Sequence, residues 1–87
     1  MNFVDTLAVF TEIIRVDDNR HYYVDSRFTL DNGFETMVFV CNKFGEVVSW
    51  KDLYAEWYTD VNEMSIGHSR IVNGIKSGKL ILEEGEY

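Results

Sequence analysis

Polar and apolar positions alternate most clearly between Arg20 and Asn42. Tyr23, Asp25, Arg27 and Thr29 interleave with Tyr22, Val24, Ser26, Phe28 and Leu30, which places Tyr22, Val24, Phe28 and Leu30 on one face of a strand. Asp31-Asn32-Gly33 follows, a run of residue types that tolerate positive φ, as a short hairpin loop requires. In the next segment Phe34, Thr36, Val38 and Val40 share one face and Glu35, Met37, Phe39 and Cys41 the other. Apolar groups on both faces predict a central strand. A turn around Asn42-Lys43-Phe44-Gly45 then leads to Glu46-Val47-Val48-Ser49-Trp50, which reads as the third strand of this run.

After Asp60 the period changes. Asp60 with Glu63 three residues later has the form of an N-cap and its reciprocal partner, Asp60 replacing the usual Ser or Thr. Val61, Met64, His68, Ile71, Val72 and Ile75 fall at steps of three and four, and Ser77-Gly78 supplies the residue preferred at a helix end. The spacing predicts one helix over 61–76. Lys79-Leu80-Ile81-Leu82 reads as an edge strand, guarded by its Lys and the following Glu pair. The first sixteen residues carry two patterns. Asn2 and Asp5 could cap a helix with the stripe Phe3, Leu7, Phe10 and Ile14, yet Val4, Thr6, Val9, Thr11, Ile13, Ile14 and Val16 are β-branched. That composition favours a strand over 7–16, turning at Asp17-Asp18-Asn19. With no proline, repeat or linker in its 87 residues, the chain reads as a single domain, 1–87. Its class is α+β: a small antiparallel sheet of three to five strands packed against one C-terminal amphipathic helix.

Composition limits the core and the partners. A chain this short buries about 60 to 65% of the surface its unfolded form exposes, and net stability of about 4 to 13 kcal/mol follows from its length. Six Phe, five Tyr and two Trp within a 46% hydrophobic composition suffice for a packed core without metal or disulfide staples. Cys41 is the one cysteine, so no intrachain disulfide forms, and its place between Val40 and Asn42 suits a small packed residue in a reducing cytoplasm. No apolar run has the length of a membrane span, and Met1-Asn2-Phe3-Val4-Asp5 lacks the basic region of a secretion signal. Fifteen carboxylates against eight Lys and Arg give a formal charge of −7. Long-range forces therefore oppose direct binding to nucleic acid or to anionic membrane. Arg15, Arg20, Arg27, Lys43, Lys51, Arg70, Lys76 and Lys79 interrupt the acidic positions, and only Glu83-Glu84-Gly85-Glu86-Tyr87 forms an acidic block, which reads as a frayed, solvated end.

Candidate chemistry is sparse. His68 lies on the apolar helical stripe, where a core histidine hydrogen-bonded through one nitrogen is the expectation rather than a metal ligand or acid/base group. His21 stands near Asp17, Asp18 and Asn19, but the spacing matches neither a calcium loop nor a zinc site. Cys41, His68 and an Asp share no local signature of a thiol triad. No catalytic, metal or cofactor residue is assigned. Gly67 inside the helix costs about 1 kcal/mol relative to Ala, which predicts close approach of another element, the Trp50 segment being the candidate. Trp50, Tyr54, Trp57 and Tyr58 form the candidate partner-binding surface, since Trp and Tyr dominate interface hot spots. If 51–58 were helical, Tyr54, Trp57 and Tyr58 would share a face. The competing reading is that the four cover one side of a small core.

The run Glu35-Thr36-Met37-Val38-Phe39 within 34–42, Gly45-Glu46-Val47 with Trp50 shortly after it, Tyr58 before the helix, and Gly67-His68 within it resemble the pattern of a family of small uncharacterised tailed-phage proteins. The first run is fairly specific, whereas Gly45-Glu46-Val47 is commonplace. The family has consecutive Glu and then Ala at the helix start, where this chain has Val61-Asn62-Glu63-Met64, so no role for an acidic first turn carries over. Nor does any catalytic or binding residue. The resemblance implies a phage setting. Small size, aromatic content, acidity and the lack of an assembled catalytic group point to a non-enzymatic accessory protein. It would bind and modulate a host protein in the host cell cytoplasm, as an inhibitor of an anti-phage defence system or by redirecting a host enzyme, as a single chain or a homo-oligomer. The alternatives are an acidic nucleic-acid mimic that blocks a DNA-binding host protein, a small-molecule binder that sequesters a nucleotide signal, and a virion or assembly component.

Overall fold

A computed structural model describes residues 6–82, with side chains over 9–82. The acidic block at 83–87 and the capping positions Asn2 and Asp5 lie outside the described residues. Four strands, β1 (Thr6–Asp17), β2 (Arg20–Thr29), β3 (Gly33–Cys41) and β4 (Tyr54–Tyr58), precede one helix, α1 (Val61–Ser77). The strands form an antiparallel sheet in the order β1-β2-β3-β4, the meander that short hairpin connections produce. The β-branched first segment is a strand. Its turn is pinned by the Asp17 carboxylate, which accepts from the Asn19 amide at 2.9 Å and from Arg20 Nε at 2.8 Å, and the Arg20 side chain above all holds that carboxyl below its ordinary pKa. In the β2–β3 turn only Gly33 takes positive φ, at 72°. The Asn32 amide donates to Thr29 Oγ1 at 3.1 Å.

Residues 46–50 do not form the expected strand. Asn42 Oδ1 accepts from the amides of Phe44 and Glu46 at 2.9 and 3.0 Å, and the backbone closes from Asn42 N to Glu46 O at 2.9 Å. After one bridge, Cys41 to Val47, and a bond from Val48 N to Val40 O at 2.9 Å, the chain leaves the ladder. It rejoins β3 where Leu53 N donates to Val38 O at 2.8 Å, and the ladder then continues as β4 rather than as a helix over 51–58. Trp50 lies in the interruption, its ring edge-on to Phe39 with centroids 5.1 Å apart. Lys79-Leu80-Ile81-Leu82 is not an edge strand either. Gly78 takes the left-handed conformation at φ 76°, and Leu80 N donates to Gly74 O at 2.9 Å. The chain thus turns back along the helix, and Leu80 and Leu82 pack against the core instead of pairing with the sheet.

The core lies between α1 and one face of the sheet. Ile14, Tyr22, Val24 and Val38 meet Ile71, Val72 and Ile75, the positions that the two periods of two and 3.6 residues place there. Asp60 Oδ1 caps the Glu63 amide at 2.8 Å. The Glu63 carboxylate reaches back to Thr59, accepting from its amide at 3.1 Å and its hydroxyl at 2.8 Å. Gly67 does face a close neighbour, which is the Tyr58 ring of β4 and not the Trp50 segment: a Cβ there would overlap the ring and its hydroxyl. Gly67→Ala should therefore lower the melting temperature despite gaining about 1 kcal/mol of helix propensity. In a Tyr58→Ala background the same change should raise it, and thermal melts of the four proteins check this sign reversal.

Candidate functional site

A chain of polar side chains crosses the helix-side face of the sheet. Ser26 and Thr36 stand directly opposite each other on β2 and β3, and their hydroxyls are hydrogen-bonded. Tyr58 of β4 donates to Thr36 Oγ1 at 3.0 Å. His68 of α1 meets Ser26 Oγ through Nδ1 at 2.7 Å and Glu12 of β1 through Nε2 at 3.1 Å. Every strand and the helix thus contribute one residue. With a single ring proton on His68 the direction follows from donor inventory: the Glu12 carboxylate only accepts, and the Tyr58 hydroxyl enters as a donor. Protons then run from Tyr58 to Thr36 to Ser26 to His68 Nδ1, leaving Nε2–H for Glu12. The Thr36 and Ser26 hydroxyls then each give one bond and receive one, and the His68 ring proton sits on Nε2. No buried side-chain nitrogen or oxygen among the described residues lacks a partner.

Glu12, His68 and Ser26 have the order of a hydrolytic triad, but not its access. The nucleophile of such a triad must reach a substrate carbonyl, whereas Ser26 is 0% exposed and its hydroxyl is already shared with Thr36. The chain is a polar tie between sheet and helix. His68 is a core histidine bonded through both ring nitrogens rather than one. The tyrosines at its β4 end respond to alkali. Burial pushes the Tyr58 phenol up, and the bond to Glu56, at 2.8 Å, pushes Tyr54 up. A raised folded pKa stabilises the protonated phenol, so this stabilisation is complete below the unfolded value of about 10 and is lost as pH rises through the folded values. Melting temperatures should fall above about pH 10, in step with tyrosinate absorbance, and less steeply in Tyr58→Phe.

Among the described residues no helix covers the opposite face of the sheet. The structure splits the four candidate aromatics between the two faces. Tyr54 and Tyr58 point to the helix side, half-buried with their hydroxyls engaged. Trp57 pairs in register with Glu35 on the open face, and Trp50 packs on the Phe39 that faces the same way. Trp57 is 62% exposed and Trp50 71%. Between them and the exposed Val9 and Ile13 of β1 sits an ionic cluster. Arg27 makes two bonds to Asp25, at 2.7 and 2.9 Å, opposite the buried Glu35. Asp25 in turn accepts from Thr11 at 3.3 Å, and its bonds hold the Arg27 guanidinium firmly charged. Gly45 at the tip of the 42–46 turn closes on Ile13 so tightly that a Cβ would collide with it. His21 and Cys41, neighbours in register, are buried at that end of the face. Burial pushes the Cys41 thiol up, which keeps it protonated and unreactive.

Sequence reasoning singled out His68 and the four aromatics, the latter as one surface that the structure divides between two faces, and missed Glu12, Ser26 and Thr36. Ser26 and Thr36 are hydroxyls on otherwise apolar stripes, which was the available signal. Among the described residues no group of three or more His, Cys, Asp or Glu is gathered to hold a metal, and no helix is long and apolar enough to cross a membrane. No protein-family model, curated protein or solved structure matches the chain.

Proposed function

We propose that the protein is a non-enzymatic accessory protein that recognises a host protein through the open face of its sheet, with Trp50 and Trp57 as anchors. The observation that carries this reading is the exposure of two tryptophans on the face that α1 leaves bare, beside the Arg27 cluster. Each has well over half of its surface in water, and burying that remainder against a partner is worth about 2 to 4 kcal/mol. The resemblance to tailed-phage proteins supplies the setting: action in the host cytoplasm, as an inhibitor of an anti-phage defence system. The charge of −7 favours a basic partner and speeds its encounter.

Mimicry of nucleic acid is the weaker reading. Asp17, Asp18, Asp25 and Glu56 are each paired with an arginine, Arg20, Arg15, Arg27 and Arg70 respectively, and so do not stand as free substitutes for phosphates. The test is a titration of the partner isolated on the tagged protein, at two ionic strengths, with and without duplex DNA. Recognition through the open face predicts moderate salt dependence and no effect of DNA. Steep salt dependence with direct competition by DNA would favour mimicry.

A further inference from the structure

β1 is the longest strand, at twelve residues, and lies at the edge of the sheet. Its inner side pairs with β2, and its outer side pairs with no strand among the described residues. Protein sheets blunt such edges with proline, charged side chains (lysine above all), bulges, short length or a covering element; in β1 the charges are Glu12, Arg15 and Asp17, and the bulges lie towards its two ends, between Thr6 and Val9 and between Arg15 and Asp17. β1 has neither proline nor lysine, and it exposes large apolar side chains on both faces of the sheet: Val9 and Ile13, 48% and 52% exposed, on the open face, and Phe10 and Val16 on the helix side. A partner lying on one face would cover only half of these. A strand alongside covers all four.

We infer that β1 pairs antiparallel with β1 of a second copy about a two-fold axis at Ile13, making a continuous eight-stranded sheet. The chain is self-complementary in this register. Directly opposite residues share a face, so over the regular stretch of β1 from Val9 to Arg15 an axis at Ile13 sets Ile13 against its own counterpart, Glu12 against Ile14 and Arg15 against Thr11; Phe10 and Val9 then lie towards Val16 and Asp17, where β1 bulges between Arg15 and Asp17. No like charges meet. An axis at Glu12 would oppose two carboxylates, and one at Thr11 would set Phe10 against Glu12 and Val16 against Thr6 rather than pairing the apolar residues. The helix does not obstruct the approach: the groove between β1 and α1 is lined on the helix side by Ser65, His68 and Ser69, and two of these are small. Because the axis is perpendicular to the sheet, both open faces look the same way, and the dimer presents its tryptophans as a bivalent surface. The pairing stands independently of the partner proposed above.

Sedimentation across a concentration series tests it. The wild type should reach twice the monomer mass at high micromolar concentration, and added salt should strengthen association, because two copies of charge −7 repel each other. Ile13→Lys, which places like charges across the axis, should weaken association at least tenfold, while Leu30→Lys, at an exposed turn position beyond the Thr6 end of β1 and far along the strand from the axis, should not. If Ile13→Lys fails to fold, Ile13→Cys in a Cys41→Ala background decides: opposed residues of an antiparallel pair lie within disulfide range, so a symmetric cross-linked dimer should form on oxidation. A wild type that stays monomeric, a dimer unaffected by Ile13→Lys, or an Ile13→Cys protein that does not cross-link would each overturn the pairing.

Discussion

Replacing His68 with alanine should cost the fold about 3 to 5 kcal/mol, a large part of the total available to a domain of this size. Two losses combine. The buried ring leaves a cavity beneath Phe10, whose ring packs on it at 5.9 Å, and the Ser26 hydroxyl loses the Nδ1 acceptor for its proton. An unsatisfied buried donor costs about 1 to 3 kcal/mol by itself. Glu12→Gln should cost far less, because the amide oxygen still accepts from Nε2–H and the position is exposed. Urea unfolding of the two variants separates a tie within the fold from a reacting group. For a reacting group, both changes would leave stability near that of the wild type.

Replacing Trp57 with alanine should do the reverse. The side chain is largely in water on the open face, so unfolding should change little, whereas affinity for the partner should fall by about 2 kcal/mol or more, roughly thirtyfold. Tyr58→Ala is the counterpart within the same strand. Its phenol fills the space above Gly67 and starts the hydroxyl chain, so its loss should appear in the melt and not in the affinity of the folded fraction. The two residues are adjacent in sequence and separated in role because successive strand residues face opposite sides.

That alternation explains what could be read from the sequence. The strands around the 31–33 turn were legible because their apolar positions repeat every second residue, and α1 was legible because Asp60, Glu63 and Gly78 mark its ends. The segment 46–58 was not. Val47 and Val48 are adjacent and apolar, so neither face is singled out, and β4 is five residues long with both faces partly covered. A helical step of three or four then fits Tyr54, Trp57 and Tyr58 as well as a strand does. The path of 79–82 depends on Leu80 reaching Gly74, a contact no local pattern announces. The hydroxyl chain required the register: Ser26 and Thr36 become partners only once β2 and β3 are aligned with Thr29 against Gly33.

The central claim is that the open face, with its two tryptophans, is the recognition surface. It is tested most directly by titrating the isolated partner against the wild type, a Trp50→Ala/Trp57→Ala protein, and an Ile66→Ala control that removes an equally exposed apolar residue from the outer side of α1. The expected result is near-wild-type unfolding for all three, with affinity reduced at least thirtyfold, about 2 kcal/mol, in the double variant alone. Unchanged affinity in a folded double variant, or an equal loss in Ile66→Ala, would contradict it.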